Sequence, residues 1–100
     1  MGKRFKAIIY WLPEKQGGRK EIPTGDKYAP IIKVKGSAFM ADEFWSIFVL
    51  NTNFLQKNET IAELEYLSSR APNNLKEGVK FELFEGRKLV AKGTILEELS

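Results

Sequence analysis

Apolar and polar residues alternate with a period of two along most of this chain. Val79, Phe81 and Leu83, for example, take turns with Lys80 and Glu82. Such alternation places successive side chains on opposite faces of a β-strand, whereas a helix would repeat every three to four residues. The pattern, together with runs of β-branched and aromatic residues, predicts six strands, at 5–12, 31–35, 45–50, 61–67, 79–83 and 89–96.

Turn-forming residues separate these segments. Glu85 and Gly86 lie between two alternating runs, so we predict a tight hairpin turn with a positive φ angle at Gly86. Only 38–44 combines helix-forming residues with a lack of alternation, and it predicts at most a short helical turn. Six short strands with almost no helix favour an all-β fold, either a small barrel or a sandwich, in one domain over 1–100.

Composition narrows the classes of function. The 100 residues are 43% hydrophobic, enough for one core, and they include neither cysteine nor histidine. The chain therefore lacks thiolate metal ligands and the usual general base near neutral pH, and we expect no enzyme activity, no metal and no cofactor. The N-terminal residues lead into a strand rather than a signal peptide, so we expect a cytoplasmic protein without a membrane segment.

Charge is distributed unevenly. Residues 1–36 contain nine Lys or Arg and three acidic residues, whereas 37–100 contain seven and ten. An N-terminal basic excess is compatible with a face that approaches nucleic acid or an acidic protein. Lysines that alternate with apolar residues are also typical of the solvated outer face of a sheet, and we favour this second interpretation.

Five aromatic residues lie within sixteen positions and could form either core or a contact surface. They could stack on bases or contact a protein, but a small barrel also needs large side chains inside. We therefore expect most of them in the core and one or two exposed, within 39–45. A larger exposed number would indicate a partner. The five are Phe39, Phe44, Trp45, Phe48 and Phe54.

Two motifs resemble the C-terminal β-barrel domain of elongation factor Tu. The family's first strand, aromatic-x-Ala-x-x-Tyr-x-Leu followed by Gly-Gly-Arg, is present as Phe5, Ala7, Tyr10, Leu12 and 17–19. The family's last hairpin is matched over 78–93, one glycine shorter at the turn. The similarity covers about the first third and the last 40 residues and leaves 36–57 unmatched. It implies a closed or nearly closed antiparallel barrel of six strands. We expect this barrel to be a stand-alone protein here, without the GTPase domain that accompanies it in the family.

The resemblance also implies two sets of binding residues. In the family, the barrel packs on the GTPase domain through residues that correspond to Gly17, Gly18 and Glu82. The Glu-Gly of the last turn contacts the T-stem of aminoacyl-tRNA in the family. The RNA-binding residues implied here, with neighbouring cations, are Arg19, Lys20, Arg70, Glu85, Gly86 and Arg87.

Other positions depart from the family's RNA-binding pattern. Ile31 replaces a glutamine, Ala71 replaces a basic residue, and the loop 36–40 is rewritten. An apolar group in place of a hydrogen-bonding side chain weakens an RNA contact, so we expect tRNA binding that is weak and lost with salt.

The sequence leaves two hypotheses for function open. The first is a non-enzymatic binding module, similar to the elongation-factor barrel, that has weak RNA contact. The second is a protein–protein interaction module, such as a regulator or an immunity-type protein. Salt should weaken the first kind of binding much more than the second. The residues expected at a protein interface are Gly17, Gly18, Phe39, Phe44, Trp45 and Glu82.

Overall fold

The chain folds into a closed barrel of six antiparallel strands. The computed structural model describes residues 4–25, 27–34, 44–68, 70–71 and 75–99. Neighbouring strands follow the order β1-β4-β3-β2-β5-β6, and β1 closes the barrel by pairing with both β4 and β6. The strands are β1 (Arg4–Trp11), β2 (Ile31–Val34), β3 (Phe44–Phe54), β4 (Glu59–Tyr66), β5 (Lys80–Glu85) and β6 (Lys88–Glu98).

The prediction of an all-β, six-stranded barrel is confirmed. Each predicted strand corresponds to one observed strand, although β3 continues to Phe54, beyond its predicted end at residue 50. The only helical element among the described residues is a single 3-10 turn at Glu14–Gln16. The predicted helical turn at 38–44 lies outside the described residues except for Phe44, which begins β3.

The inward-facing side chains fill the barrel. The alternation of β1 buries Phe5, Ala7, Ile9 and Trp11, as the pattern predicts. A barrel of this size has an interior just wide enough for side chains, and these residues pack there with Phe81 and other apolar residues from all six strands. The outward face of β1 is open to water near its end, where Tyr10 is 38% exposed.

The described residues 12–25 and 27–30 lie at the end of the barrel where β1 stops. The β3–β4 and β5–β6 hairpins lie at the same end, which we call the loop end. A chain of hydrogen bonds attaches it to the barrel. The indole Nε1 of Trp11 donates to Thr60 Oγ1 (2.9 Å), and Thr60 Oγ1 donates to Asn51 Oδ1 (2.6 Å). Asn51 Nδ2 then donates to the carbonyl oxygen of Pro23 (2.8 Å). Thr60 is thus buried without loss of hydrogen bonding.

Backbone geometry explains why glycine occupies two positions, Gly86 and Gly18. Gly86 has a φ of +63°, which confirms the predicted turn, and Arg87 beside it does not have a positive φ. This combination is typical of a type II′ hairpin turn, which takes glycine at its first central position. Gly18 is required for a different reason, because a Cβ atom there would lie 1.9 Å from the backbone oxygen of Leu12.

Candidate interaction surface

Strand β3 is apolar on both of its faces. Ile47 and Val49 point into the barrel and are buried, whereas Phe44, Phe48 and Leu50 point outward and are exposed. The outer face of an antiparallel sheet in contact with water is normally polar. Strand β3 therefore carries the apolar pattern of a strand that is covered on its outer face as well.

The outward side chains of β3 form part of a larger apolar area. Leu67 lies beside β3, since its backbone N–H donates to the carbonyl oxygen of Ser46 (3.2 Å). On the opposite side, the rings of Phe44 and Phe84 contact each other edge to face, with centroids 6.5 Å apart. We call this area the β3 patch; it comprises Phe44 (55% exposed), Phe48 (38%), Leu50 (37%) and Leu67 (48%), with half-buried Ile31 and Phe84 at its edge.

The expectation that most clustered aromatic residues lie in the core is wrong for the described ones. Phe44, Phe48 and Phe54 are all exposed, and Trp45 is half-buried against the core. Phe39 lies outside the described residues. The sequence pattern did not predict which of these aromatic residues are exposed, because residues 45–50 are almost continuously apolar and the pattern hides the direction in which each side chain points. The assignment of Phe44 to a protein interface stays a prediction.

Opposite charges flank the β3 patch on its two sides. On β4, Glu65 is the register partner of Phe48, and Glu63 is the register partner of Leu50. A surface depression of about 320 Å³ lies between these two pairs and is also lined by Arg4. Arg4 Nη1 lies 3.4 Å from Glu63 Oε1, an exposed ion pair.

A lysine lies on the other side of the patch. The backbone N–H of Val49 donates to the carbonyl oxygen of Tyr28 (2.9 Å), so the segment before β2 continues the β2–β3 register. In that register Lys27 lies opposite Leu50, and it is exposed. Leu50 thus has a basic neighbour on one side and the acidic Glu63 on the other.

A second cluster of functional groups lies at the loop end. Arg19 Nη1 forms an ion pair with Glu85 Oε2, and the hydroxyl of Tyr28 donates to the same carboxylate oxygen. The guanidinium carbon of Arg19 also lies 5.0 Å from the centre of the Tyr28 ring, within the range of a cation–π contact. Trp11 packs against the same tyrosine, with ring centroids 5.9 Å apart. The cluster therefore joins two parts of the loop end, at Arg19 and Tyr28, to the end of β5.

The electrostatics of this cluster are those of a satisfied ion pair. Burial would raise the pKa of Glu85, but hydrogen bonds from Tyr28 and Arg19 and the charges of Arg19 and Lys88 outweigh it and lower the pKa. Burial likewise would lower the pKa of Arg19, and its contacts with Glu85 raise it. Burial and the hydrogen bond to Glu85 raise the pKa of Tyr28. All three groups keep their ordinary charge at neutral pH.

The structure brings together most, but not all, of the residues predicted to bind RNA. Arg19 and Glu85 contact each other, and Lys20, Gly86 and Arg87 are exposed at the same loop end. Arg70 follows β4, whose last residues pair with the start of β1, so it lies toward the opposite end of the barrel. It does not join the other five.

The residues predicted for a protein interface are also divided. Gly17 is exposed and Gly18 buried in the turn at the loop end. Glu82 is half-buried on the outer face of β5, where it is the register partner of Lys33, which in turn pairs with Phe44. Glu82 and Phe44 thus share one outer face, two strands apart, while the glycines lie elsewhere.

Comparisons with models of known protein families and with curated proteins find no match to this chain. Among the residues that the structure describes, no group of acidic side chains is arranged to hold a metal ion. None of the described residues belongs to a helix long and apolar enough to cross a membrane.

Proposed function

We propose that this protein is a non-enzymatic β-barrel that binds another protein surface through the β3 patch. The observation that carries the proposal is the exposure of Phe44, Phe48 and Leu50, which are three of the four outward-facing residues between positions 44 and 50 of one strand. Aromatic residues are enriched at protein interfaces, and contiguous exposed apolar areas mark sites of interaction. The barrel supplies a rigid sheet on which these side chains are held in a fixed arrangement.

The size of the patch supports a binding role. A large apolar side chain carries on the order of 200 Å² of surface, so the four exposed residues together present roughly 350 Å². Patches of about 300–600 Å² are the largest that a typical monomer exposes, and they are often functional. Scattered single apolar residues would need no such explanation.

RNA binding is less well supported by the same structure. Arg19 and Glu85 already satisfy each other, so an RNA backbone would have to displace an ion pair to reach either of them. Lys20 and Arg87 are exposed and remain as cations of the predicted site. Two phosphate contacts give only weak binding that falls steeply with salt. We therefore propose that this chain is similar to the elongation-factor barrel in its fold but binds its partner through a different face.

A capture experiment with matched variants tests the proposal. Phe48 and Tyr10 are both aromatic and both 38% exposed, but only Phe48 belongs to the β3 patch. Tagged wild-type protein, Phe48→Ser and Tyr10→Ser would be incubated with lysate, with and without ribonuclease. We expect proteins that bind the wild type and Tyr10→Ser, are lost with Phe48→Ser, and resist both ribonuclease and salt.

Other results would reject protein binding through this face. Equal retention by all three proteins would show that the β3 patch is not the binding surface. Retention that ribonuclease abolishes would favour the RNA-binding hypothesis instead. Circular dichroism of each variant would confirm that the barrel is intact.

A further inference from the structure

We propose that the β3 patch binds a second copy of this chain, in a two-fold symmetric dimer of barrels packed face to face. This inference rests on the proposed function and names the partner surface. It is carried by the charges that flank the patch. At the level of Leu50, the outward-facing row across three adjacent segments reads Lys27, Leu50, Glu63, that is, basic, apolar and acidic; Lys27 and Leu50 are exposed and Glu63 is half-buried.

This row is complementary to itself under one particular symmetry. When two sheets stack about a two-fold axis that runs along β3, the β4 side of one copy faces the β2 side of the other. Glu63 of each copy then lies opposite Lys27 of its partner, and Leu50 meets Leu50 at the axis. An axis across the strands would instead place acidic side against acidic side. Charge complementarity therefore selects the first arrangement, as an isologous interface requires.

The surface next to the patch has room for the lysine. The depression of about 320 Å³ lies between Phe48 and Leu50 on one side and Glu63 and Glu65 on the other. A lysine side chain from the partner can extend its methylene groups over the apolar wall and place its ammonium group beside the carboxylates of Glu63 and Glu65. Arg4 contacts Glu63 only through a long, exposed ion pair of 3.4 Å, which contributes little and leaves the carboxylate accessible, unlike the part-buried pair of Arg19 and Glu85. Sheets pack face to face about 10 Å apart, a distance that side chains from both copies fill.

The area sets the expected strength. A stable standard interface buries about 800 Å² from each partner, more than twice the apolar area of the β3 patch, so the charged rim must contribute the rest. Interfaces at the small end are weak, and we expect a dissociation constant on the order of micromolar or tens of micromolar. The protein is then a monomer when dilute and a dimer when concentrated.

Sedimentation equilibrium of the full chain, at a series of concentrations and in low salt, tests the dimer. We expect the wild type to dimerise and Phe48→Glu to remain monomeric. Lys27→Glu and Glu63→Lys should each weaken dimerisation roughly tenfold, because a two-fold dimer changes two rim ion pairs at once. Arg4→Gln is the matched control, since it removes the contact between Arg4 and Glu63 but leaves the rim charge of Glu63 in place.

Mixing the two charge-reversed variants gives the decisive result. In a heterodimer of Lys27→Glu with Glu63→Lys, one chain carries two basic flanks and the other two acidic flanks, so both rim pairs are restored. We expect the mixture to associate about as strongly as the wild type, whereas each variant alone associates more weakly.

Three results would overturn this arrangement. The first is a wild type that stays monomeric up to roughly millimolar concentration, where even weak specific contacts form. The second is a mixture of the two charge-reversed variants that does not recover association. The third is a Phe48→Glu variant that dimerises as strongly as the wild type. If the wild type is monomeric but still captures a protein in a Phe48-dependent manner, the dimer fails and the proposed function stands. If both are lost, both proposals fail.

Discussion

Replacing Glu85 with glutamine removes one negative charge from the loop-end cluster and changes little else. Arg19 and Tyr28 lose the ionised acceptor that both of them contact. Hydrogen bonds to a charged group contribute about 1.5–3 kcal/mol to stability. The side chains of Arg19 and Glu85 are 31% and 33% exposed, so solvent screens part of the interaction. We therefore expect Glu85→Gln to lower the free energy of unfolding by about 1.5 kcal/mol at neutral pH.

The effect should depend on pH in a defined direction. The pKa of Glu85 is lowered in the folded protein, so its carboxylate favours the folded state above the ordinary glutamate pKa of 4.5. That contribution is lost as the pH falls below this value and through the lower folded pKa. The stability difference between wild type and Glu85→Gln should therefore be largest near neutral pH and shrink in acid.

Urea unfolding followed by tryptophan fluorescence, at neutral pH and at a series of acidic values, measures this difference. Glu77→Gln is the control, because Glu77 is an exposed glutamate in the turn before β5. It should change stability little. A variant Glu85→Gln as stable as the wild type, or a stability difference that does not change with pH, would refute the role given to this ion pair.

Three further predictions concern turns, the buried network and RNA. Gly86→Ala should destabilise the barrel by about 1–3 kcal/mol, since φ is +63° there, whereas Arg87→Ala in the same turn should be nearly neutral in thermal unfolding. Thr60→Val should lower the free energy of unfolding, measured in urea, by about 1–3 kcal/mol, because the indole N–H of Trp11 loses its acceptor. Thr52→Val, at an exposed position, is the control, and a Thr60→Val variant as stable as the wild type would exclude this role. A fluorescence titration with tRNA should show weak binding that disappears at physiological salt, and tight, salt-resistant binding would restore the RNA hypothesis.

The strands were predictable because the local pattern determines them. Alternation in β1, β4 and β5 separates buried from exposed positions residue by residue, and the hairpin at Gly86 needs only its two central residues to be recognised. Closure of the barrel, by contrast, depends on β1 pairing with two distant strands at once. The pattern of β1 contains no information on its partners, and only the resemblance to a known barrel predicted closure.

The candidate surfaces were harder to predict for two physical reasons. An apolar run such as 45–50 satisfies both faces of a strand almost equally, so it hides the difference between exposed Phe48 and buried Val49. The polar Ser46 was the available signal, because it marks the even-numbered positions as the outward ones. The loop-end cluster depends on tertiary contacts, because Glu85 meets Tyr28 and Arg19 across 57 and 66 positions of the chain. No periodic pattern encodes such a contact.

The central position of β1 between β4 and β6 has a consequence for how the protein is made. Strand β1 leaves the ribosome before the other five strands and can pair with β4 once that strand has emerged, but its other edge stays open until β6 has been synthesised. Contacts between such distant segments make loop closure costly and folding slow, on the order of milliseconds to seconds for small β-proteins. The nascent chain therefore carries an unpaired strand edge until β6 emerges, and that edge is where misassembly would begin.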